Sequence, residues 1–335
     1  MPGGGAKCCG GLLAPDAQEA LASLGLGVPR EVLEGPQLFA VRAIDAPSGL
    51  ERHYARAYLN VDRGRFDAWL RALVPPEVEV RHACRATALR DEGGHVAIEL
   101  EVPGGRTVER ARLVVGADGA GSRVRRGAFP LEDPPPTYLA IQEAFEARRP
   151  DPCFTALFDP AITDFYGWVI PKAGRLLVGA ALRPGAGAPA RFGALVRTLE
   201  RFGVRMGRSL GREGALLHRP RRADVRLGEG RVALLGEAAG LVSPSSAEGV
   251  SYALRSAQAL AGALATGLEG WPSRYRAAAA GLARAVLVKR LKSPWLYTPA
   301  LRRAVMASGV RAVTVGEPPE LPAWIGAAGA VAPTE

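Results

Sequence analysis

The sequence predicts an α/β fold, and three observations support this. Two apolar runs typical of buried strands, residues 111–117 and 232–236, each lead through a glycine-containing turn towards a predicted helix. Strand-like segments at 77–80 and 95–102, separated by glycine-rich turns, indicate an antiparallel meander before the first run. Apolar residues between 247 and 266 recur with the spacing of one helix face. That face comprises Val250, Ala253, Leu254, Ala257, Leu260, Ala261 and Leu264.

A change in the sequence pattern near residue 130 indicates a second structural unit. Pro130 and the triple proline at 134–136 interrupt the chain, and short mixed strands, including 174–182, then precede an amphipathic helix at 189–202. We therefore expect one discontinuous domain, an inserted domain built on an antiparallel sheet, and a C-terminal helical segment with a tail. Their respective ranges are 1–129 with 231–271, 130–230, and 272–335.

Composition excludes several classes of protein. The chain has 335 residues, 48% of them hydrophobic, and a formal net charge of +10. That length suffices for two domains with a substantial core. No apolar run reaches the roughly 18 residues that span a bilayer, and the N-terminus is unlike a signal peptide. We therefore expect a cytoplasmic protein.

The basic residues are scattered and lack the aromatic or zinc-binding patterns of nucleic-acid-binding proteins, so we expect no nucleic-acid partner. The four cysteines do not form a disulfide framework. His82 and Cys84 form an isolated pair that we interpret as structural, and we expect no metal site.

The segment from Arg231 to Leu260 carries the most chemical information. Its buried strand ends at Gly236, Glu237 follows, and a turn of small residues lets the backbone approach a ligand closely. A helix begins after Pro244, near Ala247. Its first amide groups and the positive end of its dipole suit an anionic group, and the acid suits a sugar hydroxyl.

Two further segments resemble parts of a cofactor site. Asp118 and Gly119 lie in a turn between a predicted strand and a helix start at Ser122, where a carboxylate can accept hydrogen bonds from hydroxyls or amides. Arg63 begins a helix whose predicted N-cap is Asp62.

These three segments, in this order, resemble the FAD-dependent p-hydroxybenzoate hydroxylase superfamily. The resemblance implies FAD as cofactor, bound within a three-layer domain. Glu237 stands where that superfamily usually has aspartate, and Ala247 where glycine is common. The implied cofactor-binding residues are Arg63, Asp118, Gly119, Gly236, Glu237, Gly240, Pro244, Glu248 and Gly249.

Two other segments resemble the geranylgeranyl reductases of that superfamily. Residues 7–11, Lys-Cys-Cys-Gly-Gly, are similar to a Lys-x-Cys-Gly-Gly stretch near the flavin, which implies that Cys9 faces the substrate. Residues 166–171 are similar to the family's Tyr-x-Trp-x-Phe-Pro motif, which implies that Tyr166, Trp168 and Pro171 line the substrate cavity. The second hexapeptide also resembles a motif of flavin-dependent halogenases.

The superfamily's Gly-x-Gly-x-x-Gly turn is not found in this sequence, so we expect an N-terminally incomplete FAD-binding domain. A truncated start, a unit supplied by another chain, and true loss of FAD all remain open. The basic-apolar stretch 283–306 suits contact with anionic lipid, although an ordinary helix pair is the simpler interpretation.

The resemblance implies an oxidoreductase that uses reduced FAD to transfer hydride to a carbon–carbon double bond of an apolar substrate, with isoprenoids as the family's example. Catalytic side chains are not assigned, and NAD(P)H and ferredoxin both remain open as electron donor. The alternatives are a flavin-dependent monooxygenase or halogenase, and a non-enzymatic apolar-ligand or membrane-associated protein without FAD. Residues 207–211 fit a hydrolase Gly-x-Ser-x-Gly pattern but lack the preceding buried strand and a suitably placed acid.

Overall fold

The computed structural model describes residues 8–129, 135–147 and 151–315. The strands are β1 Leu12–Leu13, β2 Leu38–Asp45, β3 Leu50–Asn60, β4 Arg85–Asp91, β5 Val96–Val102, β6 Gly105–Ala111, β7 Val114–Gly116, β8 Thr137–Glu146, β9 Phe154–Phe158, β10 Gly167–Lys172, β11 Arg175–Leu182, β12 Ser209–His218, β13 Gly228–Glu229, β14 Val232–Leu234 and β15 Ala312–Val313. The α-helices are α1 Pro15–Ser23, α2 Arg63–Ala72, α3 Arg123–Ala128, α4 Ala188–Arg201, α5 Val250–Leu264, α6 Trp271–Ala278, α7 Ala280–Lys292, α8 Pro294–Tyr297 and α9 Pro299–Ser308.

The largest sheet in the described part of the chain has nine strands, in the order β1-β3-β2-β9-β10-β11-β8-β12, with β15 beside β3. All its pairs are antiparallel except β2 with β9. Helix α4 covers one face, where Phe192, Leu195 and Leu199 are fully buried. Strands β1 to β3 join this sheet from outside the predicted 130–230 segment, so the domain boundaries remain a prediction.

A smaller sheet carries the two predicted strand–turn–helix units. Strands β14 and β7 are parallel neighbours, so their carboxyl ends, with Gly236 and Gly116, lie at the same edge. The chain leaves β7 for α3, which Ser122 caps by accepting from the Arg125 amide, and it leaves β14 for α5. A third sheet, β4-β5-β6, is an antiparallel meander, as predicted for this region, but only β5 lies in a segment that was predicted as a strand, 95–102.

Two predicted details are wrong. Residues 77–80 are not a strand: Val78 and Val80 are 54% and 49% exposed, and β5 pairs with β4 and β6 instead. The predicted apolar face of α5 is also partly exposed. Leu260 of that face is buried, but Ala253, Ala257 and Ala261 are exposed. The helix also buries Tyr252 and Ser256, and the Ser256 hydroxyl accepts a hydrogen bond from the Gly236 amide at 3.0 Å.

Other predicted elements are confirmed. Helix α2 begins at Arg63, and the Asp62 carboxylate caps it by accepting from the Arg65 amide at 2.9 Å. Helix α4 and strand β11 match the predicted ranges within one residue at each end. Within the described ranges, no helix combines the length and apolar character needed to cross a membrane.

Candidate functional site

The loop before α5, residues 243–249, is held by side chains from three separate elements. Each donates a hydrogen bond to one of three consecutive backbone carbonyls of the loop. The bonds are Arg219 Nε to Pro244 O at 3.0 Å, Tyr297 OH to Ser245 O at 2.6 Å, and Tyr166 OH to Ser246 O at 2.7 Å. The carbonyls are therefore satisfied by fixed donors, which fixes the direction of the peptide groups between them.

The amide groups that begin α5 are presented without a protein cap. Ala247 has a φ of +56°, a left-handed conformation that is uncommon for a residue with a Cβ. The Ala247 amide bonds the Ser243 carbonyl, and the Ser243 amide bonds the Glu248 carbonyl. Gly249 is the N-cap residue and supplies no side-chain acceptor. The first turn of α5 thus offers amide donors and the positive end of the helix dipole to a ligand.

The Glu248 side chain points to strand β3. It accepts from Arg56 Nη2 and from the Tyr58 hydroxyl, each at 3.0 Å. Burial, and secondarily the nearby Glu248 carboxylate, raise the pKa of Tyr58 and the pKa of Tyr166 well above the usual range. Both phenols therefore stay protonated and act as hydrogen-bond donors.

His218 joins the two strand–turn–helix units. Its backbone amide donates to Glu237 Oε1 at 2.9 Å, and its ring Nε2 lies 2.6 Å from the Ala120 carbonyl. Burial lowers the pKa of His218, so the neutral ring with a proton on Nε2 fits the contact with Ala120. Nδ1 lies 3.1 Å from the Thr137 hydroxyl, which donates to the Pro135 carbonyl. The structure thereby brings Glu237 close to the turn that contains Asp118 and Gly119.

The two turns are shaped by close backbone approach. Gly240 has a φ of +75°, and a Cβ there would lie 2.7 Å from the Asp224 carbonyl oxygen. Buried Arg125 donates to the carbonyls of Asp224 and Ala238 and so fixes the turn that contains Gly240. Asp118 is exposed, and one of its oxygens accepts from the Arg123 amide at 2.7 Å.

The second half of the site is formed by the Cys-Gly-Gly segment. A Cβ on Gly10 would overlap the Ile170 side chain, and one on Gly11 would overlap the Val61 carbonyl. Gly10 therefore lets this segment pack directly on β10, and Gly11 lets it pack on the residue that follows β3. Arg63 Nη1 contacts Cys9 Sγ at 3.3 Å, while Arg63 Nε pairs with Asp67 at 2.7 Å.

Lys172 lies at the end of β10 and is 2% exposed. Its ammonium group donates to Asn60 Oδ1 at 2.5 Å and to the Val61 carbonyl at 2.8 Å, and it lies 3.4 Å from Glu34. Burial lowers the pKa of Lys172, and the Glu34 carboxylate opposes that shift. Lys172 therefore ties the large sheet to the segment that leads into α2.

A cavity of about 490 Å³ opens beside Cys9 and Arg63. Its wall comes mainly from the large sheet and is rich in charged groups, which include Glu34, Lys172, Arg175, Arg212 and Glu213. The ion pairs Arg175–Glu34 and Arg212–Glu143 hold two of the cations in place.

Strand β10 connects the two halves of the site. Tyr166 and Trp168, with ring centroids 5.8 Å apart, are followed on the same face by Ile170 and Lys172. Tyr166 contacts the 243–249 loop. Lys172 lines the same cavity as Cys9 and Gly11. Trp168 Nε1 donates to Gln142, which lines the cavity.

The predicted residues thus fall into two neighbouring groups. Pro244, Glu248, Gly249 and Tyr166 meet at the loop before α5, and Asp118, Gly119, Gly236, Glu237 and Gly240 lie at the adjacent turns. Cys9 and Arg63 meet at the cavity, whose lining does not include Tyr166, Trp168 or Pro171. Pro171 is buried, and its carbonyl accepts from Asn60.

Sequence reasoning missed four contributors: His218, Arg219, Tyr297 and Lys172. His218 and Arg219 belong to a basic stretch with no recognisable pattern, and Tyr297 arrives from the C-terminal helices. Lys172 directly follows Pro171, the last residue of the Tyr-x-Trp segment. This position next to the motif was the one signal that could have identified it.

Comparison with solved structures identifies proteins that have a similar fold. A geranylgeranyl bacteriochlorophyll reductase-like protein from Thermoplasma acidophilum superposes with a TM-score of 0.70 at 18% identity, covering 86% of this chain and 78% of that one. Klebsiella pneumoniae HpxO, complexed with FAD and uric acid, gives 0.62 at 18% identity over 90% and 84%. The flavin-dependent halogenase CmlS gives 0.61 at 18% identity over 82% and 54%.

The chain therefore has a fold found in FAD-binding reductases and monooxygenases, and the predicted α/β fold class is confirmed. No family model matches it. Protein CbrA from Escherichia coli O6:H1 is 40% identical over 310 residues, which cover 92% of this chain and 84% of that protein. The chain belongs to the CbrA family.

Proposed function

We propose that this protein is an FAD-dependent oxidoreductase whose flavin ring binds against the loop before α5. The observation that carries the proposal is the fixation of the Pro244, Ser245 and Ser246 carbonyls by three external donors beside the uncapped start of α5. Such a loop holds amide groups in a set direction before a ligand arrives, which favours a group that becomes negative on reduction.

The residues present fit the isoalloxazine and ribityl portions of FAD. The α5 amides would face the pyrimidine edge of the ring, and Glu237 with Asp118 would accept from ribityl or ribose hydroxyls. Gly240 lets the turn after Glu237 pack closely against the Asp224 carbonyl, and Gly249 leaves the first turn of α5 without a capping side chain. Arg63 at the start of α2 would contribute positive charge near the phosphate side.

Reduced FAD supplies hydride, and the protein supplies binding, orientation and electrostatics. Trp168 and Tyr166 present aromatic surface on the sheet side, suited to the apolar part of a substrate. The cavity beside Cys9 is charged, so it would take a polar group of the same molecule rather than more hydrocarbon. We therefore propose reduction of a carbon–carbon double bond in an amphiphilic substrate, of which an isoprenoid with a polar head is the geranylgeranyl-reductase-like example. NAD(P)H or ferredoxin would deliver the electrons.

The charged wall of the cavity also favours a second candidate function. Glu34, Arg175 and Arg212 suit a compact polar substrate such as those of flavin-dependent monooxygenases, and HpxO is complexed with uric acid. In that case oxygen, and not an alkene, would oxidise the reduced flavin.

The test uses the FAD-reconstituted protein, reduced without oxygen and then mixed with either an isoprenoid alkene or oxygen. Reoxidation by the alkene, with a product two hydrogen atoms heavier, supports the reductase. Reoxidation by oxygen alone, with a hydroxylated product from an added aromatic substrate, supports the monooxygenase and overturns the reductase.

A further inference from the structure

Helices α7 and α8 form one nearly continuous helical segment whose outer face is exposed in the part of the chain that the structure describes. Ser293, which joins them, has αR backbone angles of −55° and −37°, and the Leu296 and Tyr297 amides bond its carbonyl. The segment is anchored on its inner side, where Val286 and Ser293 are buried seven residues apart. The opposite side consequently faces outward along its whole length.

Apolar residues dominate that outer face. Val288 is 39% exposed, Leu291 67%, Trp295 55% and Leu296 40%. Val288, Leu291 and Trp295 follow one another at spacings of three and four residues, so they lie on one stripe. Trp295 is the largest of these side chains, and tryptophan has an apolar ring with one polar tip, which suits the interface between water and lipid.

Cations flank the same stripe. Arg284 precedes Val288 by one turn, and Lys292 follows Leu291. Between Glu269 and Glu317 the sequence contains nine lysine and arginine residues and no aspartate or glutamate. Among the ion pairs of the described residues, Arg302 of α9 pairs with Asp45 in the interior, and within α7 and α8 the paired cation is Lys289, 3.7 Å from Asp16. Arg284, Arg290 and Lys292 thus present uncompensated positive charge beside exposed apolar groups.

We propose that this face, defined by Arg284, Val288, Leu291, Lys292, Trp295 and Leu296, docks the protein on an anionic lipid membrane. Because the stretch between Glu269 and Glu317 contains basic but no acidic residues, it favours a negatively charged surface. The apolar stripe would enter the interfacial region of the membrane. Apolar burial and attraction to anionic lipid both add to the binding strength of a basic amphipathic helix. Tyr297, at the end of α8, bonds the Ser245 carbonyl, so the docked face adjoins the loop of the candidate site.

The test is flotation of the full-length protein with vesicles of phosphatidylcholine alone and with half phosphatidylglycerol, at low and high salt. We expect binding to the anionic vesicles and release at high salt. The double variant Leu291→Ser with Trp295→Ser and the double variant Arg284→Glu with Lys292→Glu should each bind at least about tenfold more weakly.

Matched controls separate this surface from general properties of the protein. Val78→Ser with Val80→Ser removes two other exposed valines, and Arg71→Glu with Arg197→Glu makes the same change in net charge on other helices. Both controls should bind like the wild type. Absence of wild-type binding, or equal loss in the controls, would overturn the proposal. A dimer in solution that the Leu291 and Trp295 changes dissociate, without vesicle binding, would also overturn it and assign the face to a second copy.

Discussion

The Tyr166 hydroxyl lies 2.7 Å from the Ser246 carbonyl oxygen, and this contact joins the large sheet to the loop that begins α5. The two residues are far apart in sequence but occupy the boundary at which the flavin ring is proposed to bind. The contact therefore couples the geometry of the substrate side to that of the cofactor side.

Tyr166→Phe should weaken flavin binding more than it weakens the fold. The change leaves a partly buried carbonyl without its donor, at a cost of about 1–3 kcal/mol. Isothermal titration with FAD would measure the affinity, and urea unfolding would measure stability. Tyr275→Phe is the matched control, because its hydroxyl bonds the Leu234 carbonyl at 3.0 Å within the core. Equal loss of FAD affinity in both variants would contradict a specific role for Tyr166.

Ala247 provides a test of the strained turn. Its φ of +56° is unfavourable for a β-branched side chain, so Ala247→Val should lower the free energy of unfolding by more than about 1 kcal/mol, while Ala247→Gly should change it little. Ala83 also has a positive φ, +55°, in an exposed loop. Ala83→Val should therefore cost stability without changing FAD affinity, and Ala247→Val should reduce both. Equal FAD affinity in the two valine variants would count against the loop as the flavin site.

His218 predicts how stability depends on pH. Because burial lowers its folded-state pKa below the ordinary value near 6.5, the folded state holds fewer protons than the unfolded chain in that range. The stabilising contribution is full above about pH 6.5 and is lost as the pH falls towards the folded-state pKa. Urea unfolding between pH 5 and 8 should show this acid limb.

This loss of unfolding free energy at acidic pH should be smaller in His218→Gln and should persist in His95→Gln, since His95 is an exposed turn residue. An identical pH profile for the wild type and the His218 variant would show that other groups control acid stability.

Arg302 and Asp45 form a buried ion pair that attaches α9 to the end of β2, at 2.5 Å with side chains 4% and 1% exposed. Arg302→Met should cost about 3–5 kcal/mol, because it leaves the carboxylate buried without its partner. Adding Asp45→Leu should recover part of that loss. A double-mutant cycle by chemical unfolding measures the coupling, and strictly additive effects of the two changes would contradict it.

The sequence predicted the parts of this molecule that depend on local patterns. The strand–turn–helix units at Asp118 and Glu237, the N-cap at Asp62 and the extent of α4 all follow from short-range spacing and turn chemistry. The buried face of α5 did not, because Ser256 is buried through a hydrogen bond to Gly236, and hydropathy alone ranks a serine as exposed.

Long-range contacts determine the other features of the structure that the sequence did not predict. Tyr297 reaches the 243–249 loop only because α7 and α8 bring it there, and Lys172 is buried because Asn60, Val61 and Glu34 surround it. Pairing of β2 with β9, which widens the large sheet, joins segments more than a hundred residues apart. None of these relations leaves a periodic signal in the sequence.

The most direct measurement is the visible absorption spectrum of the purified full-length protein, recorded with and without added FAD and after gel filtration. We expect flavin bands that remain with the protein, perturbed relative to free FAD and weakened by Tyr166→Phe. A well-folded protein that retains no flavin under saturating FAD would contradict the oxidoreductase proposal and would favour a ligand-binding role without the cofactor. Flotation on anionic vesicles would be unaffected by that result, so the two proposals fail independently.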